Sequence, residues 1–140
     1  MSAGYIIKKI NNHLEAGRNE RLKQDGLTSA QLEFLVFLKE RSDHLTSQKD
    51  ISDHFGVKHT TTINIMKKLE EKQLIYREVN KTNAKYRNVH LTPKGTGKVM
   101  EMRRKREAID ARIIDGMTEE EQAELLRLLE RVYENVTKIN

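Results

Sequence analysis

Cysteine is absent from all 140 residues of the sequence. Its absence excludes disulfide frameworks, thiolate zinc sites, iron–sulfur clusters and redox sensing by a thiol. Long apolar runs are missing too, since the longest covers only residues 34–38. That length is too short for a membrane span or for the hydrophobic part of a secretory signal. We therefore expect a cytoplasmic protein without a membrane partner.

The sequence also has little that indicates catalysis. It lacks a nucleophile elbow, a phosphate-binding loop and a dinucleotide fingerprint. No two of its histidines are three or four residues apart, which is the spacing that places two metal ligands on one helix face. These histidines are His13, His44, His54, His59 and His90. We predict that the protein is not an enzyme and holds neither a metal ion nor a cofactor.

Basic residues, by contrast, are abundant and concentrated in the middle of the chain. The net charge is +5, but residues 58–106 contain 14 basic and 4 acidic side chains, whereas residues 107–140 contain 4 and 9. A segregated basic segment indicates an anionic partner. Aromatic residues make up only 5% of the chain, too few for a platform that stacks single-stranded bases. Double-stranded DNA is the partner that this composition favours.

The apolar spacing predicts a mainly helical chain. A first helix fits residues 5–23, a second follows a capping box from Thr28 to Gln31, and a third runs from Ser47 to a turn at Gly56. A fourth helix begins at residue 59 or 60. One of its faces has the helical spacing of a buried stripe, formed by Thr62, Ile65, Met66 and Leu69. The rest of the fourth helix is polar and basic.

From residue 75 the spacing of the apolar residues changes from the period of a helix to that of a strand. Residues 75–79 and 88–92 alternate between apolar and polar side chains, which predicts a hairpin with a cationic tip. Thr92 and Pro93 are typical of a helix start, and a long helix is expected from there to Gly116.

A last helix begins at a capping box from Thr118 to Glu121. Its apolar seam should pack against the first helix, against its own copy in a second subunit, or against both; the seam is Leu125, Leu129, Val132, Val136 and Ile139.

This order of elements predicts a mainly α fold with a small β-hairpin wing: a winged helix-turn-helix at residues 28–92, flanked by helices from both termini. The major groove of B-DNA admits one α-helix, and the phosphates beside it attract cations. We therefore expect DNA contacts from the fourth helix and from the wing. The candidates on the helix are Lys58, His59, Thr60, Thr61, Thr62, Asn64, Lys67 and Lys68, and those on the wing are Lys81, Asn83, Lys85 and Arg87.

Two other interpretations account for the same residues. A lysine-rich helix face is often only a solvated surface. A winged helix can also bind DNA without useful sequence preference, or bind another protein. A regulator prefers its site over random DNA by about a thousandfold or more, so the ratio of these two affinities separates the alternatives.

The sequence resembles the MarR family of dimeric winged-helix transcription regulators over essentially its whole length. The resemblance is carried by Leu27-Thr28-Ser29-Ala30-Gln31, by residues 50–57, by residues 69–75, and by Val89-His90-Leu91-Thr92-Pro93-Lys94-Gly95. It implies a homodimer joined through residues 1–27 and 93–140, with a near-palindromic operator. It also implies repression that is released by a small aromatic or anionic effector, bound between the dimer helices and the winged domain.

The chain departs from the family pattern at two places. The family usually has glycine at the position of Gln73, at a helix end that favours the left-handed conformation. Either a non-glycine residue there costs about 1 kcal/mol or more, or the turn is built differently. The wing tip of the family usually carries Asp-x-Arg, which is matched here by Asn83-Ala84-Lys85. Because lysine lacks the guanidinium fork, we expect the wing contact to depend more on Arg87 than on Lys85.

Overall fold

A computed structural model describes residues 1–79 and 87–139. The helices are α1 (Ala3–Gln24), α2 (Ser29–Glu40), α3 (Gln48–Phe55), α4 (His59–Glu71), α5 (Pro93–Ile113) and α6 (Glu119–Ile139), and the strands are β1 (Ile75–Val79) and β2 (Arg87–Leu91). These elements form two compact units, residues 1–100 and residues 101–140. The prediction of a mainly helical fold with a hairpin wing is confirmed.

The polar residues that predicted the helix starts do cap them. The Thr28 hydroxyl accepts the backbone N–H of Gln31, and the Gln31 side chain accepts the backbone N–H of Thr28. Ser47 and Asp50 form the same reciprocal pair at the start of α3. Gly56 then adopts the left-handed conformation with φ 63° and ends α3. Only two residues separate Gly56 from α4, so α3 and α4 form a helix-turn-helix.

The wing is an antiparallel pair in which Ile75 lies opposite Leu91 and Arg77 opposite Val89. Its second strand begins and ends one residue earlier than the sequence predicts. It ends at Leu91 because the Thr92 hydroxyl accepts the backbone N–H of Gly95 at 3.0 Å and so begins α5. The loop before α3 also pairs with β2, since the Val89 N–H donates to the Thr46 carbonyl at 2.8 Å. The base of the wing is therefore joined to the start of α3.

The core of the first unit lies between α2, the helix-turn-helix and the base of the wing. Leu35, Ile51, Met66 and Leu69 have no exposed surface. The rings of Phe34 and Phe55 stack with their centroids 4.5 Å apart. These side chains come from α2, α3 and α4, so their burial fixes α4 against the two preceding helices.

Gln73 takes the left-handed conformation, with φ 62°, so the first of the two alternatives for this turn is the one observed. The turn brings Leu74 against the start of α5, where the Thr92 N–H donates to the Leu74 carbonyl at 3.1 Å. A Cβ atom on Gly95 would lie 2.0 Å from that carbonyl oxygen. Glycine is required at position 95 because the two backbones touch.

Apolar side chains are left exposed on α1 and on α6. Ile6, Ile7 and Ile10 are each 40–52% exposed. In the second unit the predicted seam of α6 is also accessible, with Leu129 46% and Ile139 78% exposed. Among the described helices, none is long and apolar enough to cross a membrane.

Candidate DNA-binding surface

α4 has one buried face and one exposed face. Thr62, Met66 and Leu69 have no exposed surface. The opposite face carries polar and basic side chains that are all exposed, namely His59, Thr60, Thr61, Asn64, Lys67 and Lys68, with Lys58 exposed just before the helix. We call these seven residues the outer face of α4. They include every helix candidate that the sequence indicated, apart from Thr62.

Thr62 corrects the sequence-based expectation. Its hydroxyl accepts a 2.7 Å hydrogen bond from the Ser52 hydroxyl, inside the contact between α3 and α4. A side chain with no exposed surface is not available to a duplex, so Thr62 is a packing residue. Its position on the apolar stripe of the helix correctly indicated burial, whereas its polar hydroxyl wrongly suggested a DNA contact.

The start of α4 presents free backbone donors at this surface. Lys58 is the N-cap, and its side chain makes no cap hydrogen bond. The first turn contains no acidic residue. Because the first N–H groups of a helix lack intrahelical partners and lie at the positive end of the helix dipole, this start favours an anion such as a phosphate.

Of the predicted wing residues, Arg87 can be placed. It is the first residue of β2, opposite Val79, and it is exposed. Lys81, Asn83 and Lys85 lie outside the described residues, so their DNA contacts remain predictions. Among the described residues, Arg87 is therefore the basic residue nearest the predicted tip of the wing.

An ion pair that sequence reasoning missed joins the wing to α4. Arg77 on β1 donates from Nε to Glu70 Oε2 at 2.8 Å and from Nη2 to Glu70 Oε1 at 3.1 Å. The hydrogen bond from Arg77 lowers the pKa of Glu70, and the Arg87 charge lowers this pKa further. In turn, the bond with Glu70 raises the pKa of Arg77. Both groups are therefore ionised at neutral pH.

A second missed contact holds the end of α4. Lys72 follows the helix, and its ammonium group donates to Gln31 Oε1 at 2.8 Å and to the Gly26 carbonyl oxygen. Partial burial lowers the pKa of Lys72, and the neighbouring Lys68 adds to this effect. The contact ties α4 to the turn between α1 and α2. The orientation of the outer face is thus fixed by three sets of contacts: the buried side chains of α4, the ion pair of Glu70 in the last turn of α4, and the hydrogen bonds of Lys72 just after the helix.

Two of the histidines are engaged in ring contacts. His54 stacks on Phe37 with centroids 4.1 Å apart, and His90 stacks on Tyr76 at 4.8 Å. Within residues 1–79 and 87–139, no three histidine or acidic side chains are grouped so that they could hold a metal ion.

Comparison with known proteins agrees with this geometry. A sequence model described as the MarR family matches residues 25–85. The chain is 33% identical over 102 residues to the HTH-type transcriptional repressor MdtR of Bacillus subtilis (strain 168). This match covers 73% of the chain and 64% of MdtR, which is less than two thirds of the relative.

Solved structures of MepR from Staphylococcus aureus have the same fold. MepR, described as a transcription regulator of the multidrug efflux pump MepA, matches with a TM-score of 0.88, 22% identity, and coverage of 97% of this chain and 99% of MepR. The MepR–DNA complex matches with a TM-score of 0.83 and 22% identity, over 95% of this chain and 98% of that one. MepR bound to ethidium bromide matches with a TM-score of 0.77 and 22% identity, over 97% of both chains.

The family match covers the helix-turn-helix and the first strand of the wing, and the structural match covers nearly the whole chain. The exposed outer face of α4 lies in the matched segment. The chain is therefore similar to the MarR family of winged helix-turn-helix transcription regulators in the matched segment, and it has the fold of MepR over nearly its whole length.

Proposed function

We propose that the protein is a sequence-specific transcription regulator that binds double-stranded DNA through the outer face of α4. The observation that carries this proposal is the separation of the two faces of α4. Met66 and Leu69 are buried on one face, while Thr61, Asn64, Lys67 and Lys68 are exposed together. A helix held in this way can enter a major groove about 12 Å wide without giving up its packing.

The side chains on the outer face suit different parts of a duplex. Thr60, Thr61 and Asn64 are short hydrogen-bonding residues near the start of α4, and such side chains read the edges of bases. Lys67 and Lys68 are long and positively charged, so they suit phosphates, which contribute affinity but little sequence information. Arg87 extends the positive surface towards the wing.

We further propose a homodimer that binds a near-palindromic operator and represses transcription in the cytoplasm. Dimerisation through residues 1–27 and 93–140 is supported by the exposed apolar side chains of α1 and α6, among them Ile10 and Leu129. Exposed apolar patches of this kind mark protein interfaces. Repression is supported by the name of the relative MdtR, a transcriptional repressor.

Release of the operator by a small aromatic or anionic effector completes the proposed function. It is supported by the structure of the relative MepR with ethidium bromide, a planar aromatic compound. A regulator of this type requires no cofactor. Such a regulator has one conformation that binds DNA and one that does not. The effector must bind the second conformation more tightly in order to release the operator.

The decisive experiment selects duplexes from a randomised pool with the purified protein. The selected duplex and a scrambled duplex are then titrated at two salt concentrations. We expect a two-fold-symmetric motif with half-site centres about one helical turn, 10–10.5 bp, apart. Asn64→Ala should change the base preference, whereas the exposed Lys138→Ala on α6 is the matched control. Weak binding without an enriched motif would instead favour a non-specific or protein-interacting winged helix.

Sedimentation tests the homodimer separately from DNA binding. Ile10 is 52% exposed on α1, and aspartate at this position would place a charge in the proposed apolar interface. We expect the wild type to sediment as a dimer and Ile10→Asp as a folded monomer. A monomeric wild type would overturn dimerisation through these helices.

A further inference from the structure

The guanidinium group of Arg77 contacts two elements of the helix-turn-helix from its position on the wing. It forms two hydrogen bonds with the carboxylate of Glu70 on α4, and Nη1 donates to Gln48 Oε1 on α3 at 3.2 Å. The Arg77 side chain is 11% exposed, and Gln48 is 5% exposed. One nearly buried group therefore joins β1, α3 and α4.

The chemistry of this junction requires arginine. Two parallel N–H donors match the two oxygens of a carboxylate, and a third donor reaches Gln48 in the same plane. Lysine carries the same charge, but its ammonium group cannot reproduce this flat fork. Replacing Arg77 with lysine therefore preserves the charge while it loosens the geometry.

The position of Arg87 depends on this junction. Arg77 lies opposite Val89 in the hairpin, and Arg87 is two residues from Val89 on β2. The Arg87 charge is also close enough to influence Glu70. Since β1 and β2 pair residue by residue, the contact between Arg77 and Glu70 fixes the distance from the Arg87 end of the wing to α4.

We infer that Arg77 is a positioning residue that sets the wing, and with it Arg87, relative to the outer face of α4. The inference rests on the proposed function, since a fixed spacing matters when the helix and the wing bind one duplex together. Arg77 itself is too buried to contact the DNA. Its influence on affinity is exerted through Arg87.

The first test measures the wing directly and needs no DNA. Backbone N–H residual dipolar couplings are recorded for α4, β1 and β2 in the wild type, in Arg77→Lys and in Glu70→Gln. In the wild type we expect one alignment tensor to fit all three elements. In both variants the wing couplings should shrink while those of α4 stay unchanged. Wing couplings that remain at wild-type values would overturn the inference, whatever the protein binds.

The second test is a double-mutant cycle with the selected duplex. Arg77→Lys and Arg87→Ala should each weaken binding about threefold to tenfold, which corresponds to the net contribution of about one hydrogen bond, here the contact of Arg87 with the duplex. If Arg77 acts through Arg87, the double variant should bind about as well as the weaker single variant. Losses that multiply would contradict the inference.

A matched control is available on α6. Arg127 forms a similar two-bonded pair with Glu124, but both side chains are 54% exposed and belong to the same helix. Arg127→Lys should leave both the wing couplings and the DNA affinity unchanged. If wild-type protein binds no duplex while the couplings change as expected, the proposed function fails and the positioning role of Arg77 stands.

Discussion

The hydroxyl group of Ser52 donates a 2.7 Å hydrogen bond to the hydroxyl group of Thr62, and both side chains are buried. Ser52 belongs to α3 and Thr62 to α4, so the bond joins the two helices of the helix-turn-helix. The Ser52 hydroxyl also lies 3.1 Å from the Gln48 carbonyl oxygen. Each hydroxyl thus has a partner within the packed contact.

Thr62→Val should therefore reduce stability rather than DNA recognition. Valine has nearly the same shape but removes one partner of the hydrogen bond, which costs about 1 kcal/mol of unfolding free energy. Ser52 still has the Gln48 carbonyl as an acceptor. Urea denaturation measures the cost, and titration of the selected duplex should give an affinity within about twofold of wild type, well below the tenfold that corresponds to 1.4 kcal/mol.

Asn64→Ala is the matched comparison on the same helix. Asn64 is exposed, so its replacement should leave the unfolding free energy nearly unchanged and alter the preferred bases. If Thr62→Val changed base preference at constant stability, Thr62 would belong to the DNA-binding surface after all.

Local patterns in the sequence predict the elements and the exposed face of α4. The capping boxes, the glycine turn and the helical spacing of apolar residues each depend on a few neighbouring residues. Thr62 illustrates how such patterns conflict. Its place beside Ile65 and Met66 on the wheel predicts burial, whereas its hydroxyl suggests a polar contact. The hydroxyl bonds inside the protein, so periodicity is the better guide there.

The missed contacts are those between side chains on different elements, and some of these side chains are far apart in sequence. Arg77 and Gln48 are 29 residues apart, and Lys72 and Gln31 are 41 apart. Periodicity indicates which face of an element is buried, but it does not indicate which polar atoms meet across two elements. The roles of Arg77 and Lys72 therefore emerge only from the fold. The DNA contacts of Lys81, Asn83 and Lys85 remain predictions.

Gln73→Gly should stabilise the protein. Gln73 has φ 62°, a left-handed conformation that is costly for a residue with a Cβ atom. Glycine relieves this strain, although it also makes the unfolded chain more flexible, and we expect a net gain of up to about 1 kcal/mol. The hydrogen bond that the Thr92 hydroxyl donates to the carbonyl oxygen of residue 73 is kept. Urea denaturation measures the gain.

The opposite substitution at a second left-handed position is the control for Gln73→Gly. Gly56 has φ 63°, with no atoms within 4 Å of an added Cβ. Gly56→Ala should therefore lower stability by about 1 kcal/mol through backbone strain alone. A loss of stability in Gln73→Gly would show that the Gln73 side chain contributes more than its strained backbone costs.

Lys67→Ala and Lys68→Ala should weaken binding similarly for all duplex sequences. Both lysines are exposed on the outer face of α4, and we expect them to neutralise phosphates. Each replacement should reduce the slope of log affinity against log salt by about 0.9 per lost phosphate contact. Titrations of selected and scrambled duplexes at several salt concentrations measure both effects. A loss confined to the selected sequence, with an unchanged slope, would indicate a base contact instead.

The ion pair between Glu70 and Arg77 should make stability depend on pH in acid. The hydrogen bond from Arg77 is the largest cause that lowers the pKa of Glu70, and burial opposes it. Because this pKa is lower in the folded state, the unfolded chain binds more protons in acid, and stability falls as the pH falls. The loss begins near the ordinary glutamate pKa of about 4.3 and is complete below the folded pKa. Glu70→Gln should remove this part of the dependence.

Urea denaturation from pH 7 to pH 3 compares Glu70→Gln with Glu124→Gln. The pKa of Glu124 is also lowered, through its hydrogen bond with Arg127, but both of these side chains are 54% exposed. Water and salt screen an exposed pair, so Glu124→Gln should keep most of the wild-type pH dependence. Arg77 is 11% exposed and Glu70 is 41% exposed, so high salt should weaken the Glu70 effect less than the Glu124 effect. Equal behaviour of the two variants would mean that the burial of Arg77 adds nothing to its pairing with Glu70.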